Sequence, residues 1–527
     1  MTDRLGGSVI PAATAPYQPA TAAGDGSAIP AFPPSALAGS REGLNELITL
    51  MARTVRDALA ETRTTGPLPP GAPHEVLAAA RDLLGPAAVP EYGSGPDAAL
   101  HRLATVLTRH GLDLSHPHAA AHLQPPPLAV AVAADALATA GNASLDTYDS
   151  GPATLAVEGW VVESLARMAG WGPDAGGVFT PGGSMSNLLA LLLAREHTAG
   201  LRGVDTRRDG VAGLPRPVVL ASEVAHFSVQ RACAALGLGE TAVHQVAVDH
   251  RYRMRPDALA AELAQLTQLG SAVTPVAVVA TAGTTDFGSI DPLPQIAALA
   301  AEHRVWLHVD AAYGFGALFS DRMAPLLAGL DAADSLTLDL HKIGWQPACA
   351  SAVLLRDAAR FSPLNRQVAY LNPVDDALAG YDGLLGRSLQ TTRRADTVKI
   401  AATILAHGRV GLGGMVDVCH DLARYAQRRI DAEPALELVS PAQLSTVVFR
   451  YRGSRAGGDS ALNSALRRRL LRSGRALVGR TEVRLDGPTA PASVCLKLTL
   501  LNPTAHQHDI DTLLDAVLAA GRDEEQS

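Results

Sequence analysis

Beyond the triple proline at residues 125–127, short aliphatic and β-branched runs alternate with longer stretches of helical periodicity. The strand-like runs are residues 217–221, 275–281, 305–310, 335–338 and 350–355, and the helical patterns include 187–197, 229–236, 256–266 and 294–302. Connections long enough to hold a helix let consecutive strands lie parallel, and a sheet so connected is covered by helices. The pattern predicts an α/β fold, a mainly parallel central sheet with helices on both faces, as the large domain over residues 128–398. Such sheets present ligands at the carboxyl ends of their strands.

The flanks read differently. Residues 1–40 are rich in Ala, Pro, Gly and Ser without periodicity and are expected to form a disordered arm. Leu44, Leu47, Leu50 and Met51 have helical spacing, so residues 41–127 are expected to be a helical segment interrupted at the proline-rich 67–73. Residues 399–522 combine helical patterns (400–407, 416–430, 509–520) with strand-like 445–451 and 494–500, the signature of a small α+β domain.

Charge and cysteine content narrow the function. A net charge of -8 and the absence of a basic stripe speak against a nucleic-acid partner, and Arg467-Arg468-Arg469 reads as a solvated helix face. Four scattered cysteines form no disulfide framework, and no paired spacing provides a metal site. The apolar run 128–138 is broken by Asp135, so no membrane span and no signal segment are expected, and a cytoplasmic setting follows.

Chemistry collects at the strand ends. Lys342 follows the 335–338 run, where desolvation favours the neutral amine that condenses with a carbonyl; a surface lysine beside a loop is the alternative. Asp310 ends an apolar strand, and a carboxylate there calls for a cation such as a protonated pyridine nitrogen, with small Ala311 and Ala312 admitting a flat ring. An N-cap or a metal ligand is the other reading of Asp310. Gly182-Gly183-Ser184-Met185-Ser186-Asn187 runs into an apolar helix, a setting for a phosphate, and lacks the lysine of a Walker loop. His226 follows the 217–221 run and can stack on the ring or be structural. Thr284, after the 275–281 run, is placed to touch such a ring or phosphate.

Together with His116-Pro117-His118, His308-Val309-Asp310-Ala311-Ala312-Tyr313 and Ala333-Asp334-Ser335 leading to His341-Lys342, these stretches resemble the group II pyridoxal-phosphate (PLP) amino-acid decarboxylases over roughly residues 100 to 520. The resemblance implies PLP as cofactor, fold type I (aspartate aminotransferase-like), and a homodimer with its active site at the interface. It implies Lys342 as the Schiff-base lysine, Asp310 on the pyridine nitrogen and His226 on the ring. Gly183 and Ser184 fall at the phosphate, with His341 nearby. Residues 388–394, Gln346-Pro347 and 498–503 are most similar to bacterial decarboxylases of 2,4-diaminobutyrate, ornithine or lysine.

The resemblance implies that the segment holding Asp146 contributes to the partner's substrate pocket; a carboxylate there is suited to pair with a distal ammonium, and a surface-turn aspartate is the other reading. The resemblance implies a loop tyrosine as the Cα proton donor, for which Tyr381 in the loop 375–386 is the candidate; an ordinary exposed tyrosine is the other reading and His226 the fallback. Met185, Gly151, Ala119-Ala120 and Leu340 depart from the family pattern. Three other outcomes stay open: an aromatic amino-acid decarboxylase, an aldehyde synthase that couples decarboxylation to oxidative deamination, and a non-catalytic PLP-binding protein.

Overall fold

The computed structural model describes residues 33–61, 65–453, 459–485 and 490–527. By compactness the chain divides into Met1–Asp113 with Leu471–Ala476, and the remainder.

The first unit holds α1 (Arg41–Ala60), α2 (Pro73–Leu84) and α3 (Pro96–His110). Ser40 caps α1 by accepting from Gly43 N at 2.8 Å. Arg53 on α1 meets Asp97 on α3 at 3.0 Å. The arm expected over 1–40 lies outside the described residues up to 32, and residues 33–40 carry a 3-10 turn at Pro34–Ala36. One face of α1 leaves Leu44, Ile48, Met51, Val55 and Leu59 exposed.

The remaining elements begin with β1 (Ala119–Ala120), α4 (Ala129–Gly141), α5 (Pro152–Met168), β2 (Gly176–Thr180), α6 (Gly183–Leu201), α7 (Thr206–Asp209), β3 (Pro217–Ser222) and α8 (Ser228–Ala235). Next come β4 (Val243–Val246), α9 (Pro256–Leu269), β5 (Thr274–Thr281), α10 (Leu293–Glu302), β6 (Trp306–Asp310), β7 (Ser335–Asp339) and β8 (Ser351–Leu355). The chain finishes with α11 (Val374–Leu378), α12 (Thr397–Asp431), β9 (Leu436–Gln443), β10 (Thr446–Tyr451), α13 (Asp459–Ser473), β11 (Leu477–Val483), β12 (Ser493–Thr499) and α14 (Gln507–Gln526).

Seven strands form the large sheet in the order β2-β8-β7-β6-β5-β3-β4. Only β8 runs against its neighbours, so the sheet is mainly parallel. The period-2 alternation of strand side chains divides the apolar residues between two cores. Val218, Leu220, Val278 and Ala280 join the core under α5, α9 and α10. Val219, Ala221, Val279 and Val353 join the one under α6 and α8. Helices therefore cover both faces, and the strands read as unbroken apolar runs.

A second sheet has the order β1-β11-β12-β10-β9. Its edge strand β1 comes from the stretch expected to be helical, because Ala119 and Ala120 pair with Leu477 and Val478. The two helices expected at 400–407 and 416–430 form one element, α12, bent at Gly408 (φ 59, ψ -178). The boundary expected at 398/399 falls inside α12's first turns, and Ile400, Leu412, Val416 and Cys419 pack into the large-sheet core. Both sheets consequently share one compact unit.

Candidate active site

A cavity of about 220 Å³ opens at the carboxyl ends of β2, β3, β5, β6 and β7. Of the residues expected there, Gly183, Ser184, His226, Asp310, Ala312, His341 and Lys342 all line it.

The floor is a buried hydrogen-bond chain. Asp310 accepts from Asn187 Nδ2 at 2.7 Å and from the Ala312 N–H at 3.1 Å, so both donors are neutral. Asn187 Oδ1 then faces His308 Nε2 at 3.1 Å, and His308 Nδ1 lies 2.9 Å from Ser335 Oγ. Trp306 Nε1 donates to that same hydroxyl at 2.9 Å, leaving the Ser335 proton for His308 Nδ1. His308 thus carries its own proton on Nε2 and donates it to Asn187. Burial pushes His308 down to about 4, so the imidazole is neutral at physiological pH. The chain from Trp306 to Asp310 fixes one carboxylate orientation and leaves its negative charge for a cation from outside the protein.

His226 is held in the same way. Ser228 Oγ takes a hydrogen bond from Asn187 Nδ2 at 2.9 Å and lies 2.8 Å from His226 Nδ1. The Ser228 N–H also points to that nitrogen, at 3.3 Å. With donors on Nδ1, the ring proton resides on Nε2. Burial holds His226 below the usual histidine range, with Asp310 opposing that shift.

On the opposite side Lys342 Nζ sits 2.9 Å from Asp339 Oδ2. His341 Nδ1 accepts from Ala350 N at 3.3 Å, and burial lowers His341 as well. The first N–H groups of α6, at Gly183 and Ser184, precede the helix's own hydrogen-bond ladder and are free for an anion. Glycine is required at 183, since a Cβ there would stand 2.7 Å from Asp339 Oδ2. Ser186 is committed to Thr180, hydroxyl to hydroxyl at 2.7 Å.

Three expected residues lie outside the cavity lining. Thr284 turns its hydroxyl to Ser289, at 2.7 Å, because the chain reverses at Gly283 (φ 100) and Gly283 and Thr285 line the cavity instead. Asp146 is buried, accepting from Thr147 N at 3.1 Å. Tyr381 is 59% exposed and meets Tyr148 edge to face at 5.5 Å. Asp146 and Tyr381 are nevertheless neighbours through backbone, since Leu384 N bonds Leu145 O at 3.0 Å and Leu385 N bonds Asp146 O at 3.2 Å.

Asn187, His308, Asp339 and Tyr313 were not assigned from sequence. Asp339 repeats the signal of Asp310, a carboxylate closing an apolar strand, and His308 stands two residues before Asp310 on the same strand face. Tyr313 lines the cavity and anchors its hydroxyl on Ser445 at 2.7 Å and Thr446 at 2.9 Å.

The set accepts a phosphate at α6, a cationic ring nitrogen at Asp310 and a carbonyl at Lys342, the three functional groups of PLP. The pyridoxal-dependent decarboxylase conserved domain matches residues 84–452. The L-2,4-diaminobutyrate decarboxylase of Rhizobium meliloti (strain 1021) is 42% identical over 436 residues, 82% of this chain and 84% of that protein. The L-2,4-diaminobutyrate decarboxylase of Acinetobacter baumannii is 35% identical over 438 residues, 81% of this chain and 84% of that protein. The crystal structure of the glutamate decarboxylase domain of diaminobutyrate-pyruvate transaminase and L-2,4-diaminobutyrate decarboxylase from Vibrio parahaemolyticus matches with TM-score 0.80 and 30% identity, covering 92% of this chain and 97% of that one. The cofactor is PLP, the fold is type I, and the chain belongs to the pyridoxal-dependent decarboxylases.

Proposed function

We propose that the protein removes the α-carboxyl group of an L-diamino acid, with 2,4-diaminobutyrate the foremost substrate and ornithine and lysine its longer analogues. The observation that carries the reaction is Lys342 and Asp310 lining one cavity with the free N-terminus of α6. The two diaminobutyrate decarboxylases at 42% and 35% identity support the substrate.

Bound PLP supplies an electron sink for the pair released when the Cα–carboxylate bond breaks. Gly183 and Ser184 hold its phosphate, with His341 alongside, and Lys342 anchors its carbonyl carbon. Asp310, oriented by Asn187 and the Ala312 N–H, keeps the ring nitrogen protonated. His226 covers the ring and holds a proton on Nε2. Thr284 acts through Ser289 to fix the loop that presents Gly283 and Thr285.

The active assembly is a homodimer in which Asp146 and Tyr381 serve the partner subunit's cavity. Their separation from the Lys342 cavity supports this reading, as does the apolar stripe on α1. Asp146 pairs with the distal ammonium, and Tyr381 delivers the proton to Cα. The setting is the cytoplasm, where Cys233 and Cys419, pushed up to about 12 by burial, are inert thiols.

The test is mass spectrometry of the PLP-loaded protein incubated with 2,4-diaminobutyrate, ornithine, lysine, tyrosine and glutamate. A diamine lighter than its substrate by carbon dioxide is expected, and none from Lys342→Ala. An aromatic amine or an aldehyde would overturn the substrate, and PLP uptake without any product would overturn the reaction. Asp146→Ala is expected to raise KM for the diamino acid at least about tenfold, the worth of one desolvated charge pair. An unchanged KM removes Asp146 from the pocket.

A further inference from the structure

Asp339 ends β7 with a buried carboxylate whose Oδ1 has no hydrogen-bond partner among the described residues. Its Oδ2 lies 2.9 Å from Lys342 Nζ and 3.7 Å from His341 Nε2. A Cβ on Gly183 would fall 2.7 Å from Oδ2 and 2.9 Å from Oδ1, so the carboxylate borders the first turn of α6 where the cofactor phosphate is held. A fixed anion beside an anion site is the reverse of what binding a phosphate calls for.

The neighbours supply little compensation. His341 comes from the same loop and His226 from the segment before α8, and burial disfavours the charged form of both. Helix α6 offers backbone N–H groups there, and β8 offers the neutral Ser351 opposite Asp339. Asp310 adds a further negative charge to the same cavity. Lys399 has its Nζ at Asp396 (3.1 Å) and Asp135 (3.5 Å). Among the described residues Lys342 is thus the one lysine or arginine paired with Asp339.

We propose that Asp339 makes occupancy of the cofactor site proton-coupled: the carboxylate and the arriving phosphate share one proton taken from solvent. In the ligand-free chain Asp339 is the counter-ion of Lys342. When a phosphate monoester binds at Gly183 and Ser184, the proton relieves the like-charge contact, so affinity falls as pH rises. Without the carboxylate the trend would be flat or upward, because the dianion that forms above about pH 6 suits a helix N-terminus best.

The probe is 4'-deoxypyridoxine 5'-phosphate, which has the ring and the phosphate and no aldehyde to react with Lys342. Calorimetry on the full chain freed of PLP, in buffers of different ionisation enthalpy, is expected to show uptake of about one proton per ligand at pH 7.5, with affinity falling up to about tenfold per pH unit above 7. In Asp339→Asn, of the same shape, uptake is lost and affinity holds within about threefold, so at pH 8.5 the variant binds at least about tenfold more tightly than wild type. Uptake that persists in the variant assigns the proton to a histidine or to the ring nitrogen at Asp310 and overturns the proposal. Absence of uptake in the wild type overturns it without reference to any variant's folding. Failure of the probe to bind either protein at any pH would instead reject the cofactor site itself.

Discussion

A histidine in the middle of a buried strand is costly unless it is neutral and paired, and His308 is both. The consequence is a dependence of stability on pH. Its folded value of about 4 lies below the ordinary 6.5, so the unfolded chain binds the extra proton between those values. The stability that His308 contributes is present above pH 6.5 and is lost as pH falls towards 4. Asp291 works in the other direction. Burial pushes it up to about 6, so its contribution is present below about pH 4 and lost as pH rises through 6. The two oppose each other in total stability, so a variant is needed to separate them. Between pH 7 and pH 5 the wild type is expected to lose about 2 kcal/mol relative to His308→Gln in urea unfolding. A difference independent of pH would show that His308 does not titrate this way. At this scale Lys342, Asp310 and His226 were legible because each follows the end of an apolar run. Asn187 was not assigned, since its role rests on a bond to Asp310 across 123 residues of sequence. Thr284 was placed by its neighbours in sequence, whereas the reversal at Gly283 decides which residues face the cavity.

The strands that can be read in the sequence are those buried on both faces, because continuous aliphatic runs need no alternation to be seen. The others are obscured by residues placed for local reasons. In β2, Gly177 is a glycine because a Cβ would sit 2.9 Å from Val353 O on the neighbouring strand. In β9, Pro441 interrupts the run and is tolerated because β9 is an edge strand. Four-residue β4, an edge strand of the large sheet, contains His244 and Gln245. Helix α12 shows how one residue changes an element. Gly408 adopts φ 59 with ψ -178, a region that side chains avoid, and the bend it makes lets residues on both sides reach the same core. A Cβ at Gly408 meets no atom within 4 Å, so any penalty is one of backbone conformation and not of crowding. Gly408→Ala is accordingly expected to cost about 1–3 kcal/mol in denaturant unfolding, without loss of PLP absorbance in the folded fraction. A variant as stable as wild type would mean that the bend relaxes freely into straight helix.

For the whole molecule, a single copy leaves two features without purpose. The stripe on α1 keeps Ile48 67%, Val55 55% and Leu59 69% exposed, although each such side chain is worth about 1.5–3 kcal/mol when buried. The backbone-linked Asp146 and Tyr381 segments stand outside the cavity that needs an ammonium partner and a proton donor. The homodimer proposed above would account for each of them, because a two-fold assembly buries identical patches and can exchange identical segments. The two consequences separate by experiment. Ile48→Glu with Val55→Glu is expected to shift sedimentation from dimer to monomer. The monomer should keep PLP absorbance, since the Lys342 cavity is lined by its own chain, and should lose turnover. Subunit exchange then tests the sharing of sites directly. Lys342→Ala and Tyr381→Phe proteins, each inactive alone, should regain about a quarter of wild-type activity when mixed after dissociation. Half of the random dimers are mixed, and each holds one site with both residues intact. If the mixture stays inactive while exchange is demonstrated, Tyr381 acts within its own subunit and the loop must reach the cavity of the chain that carries it.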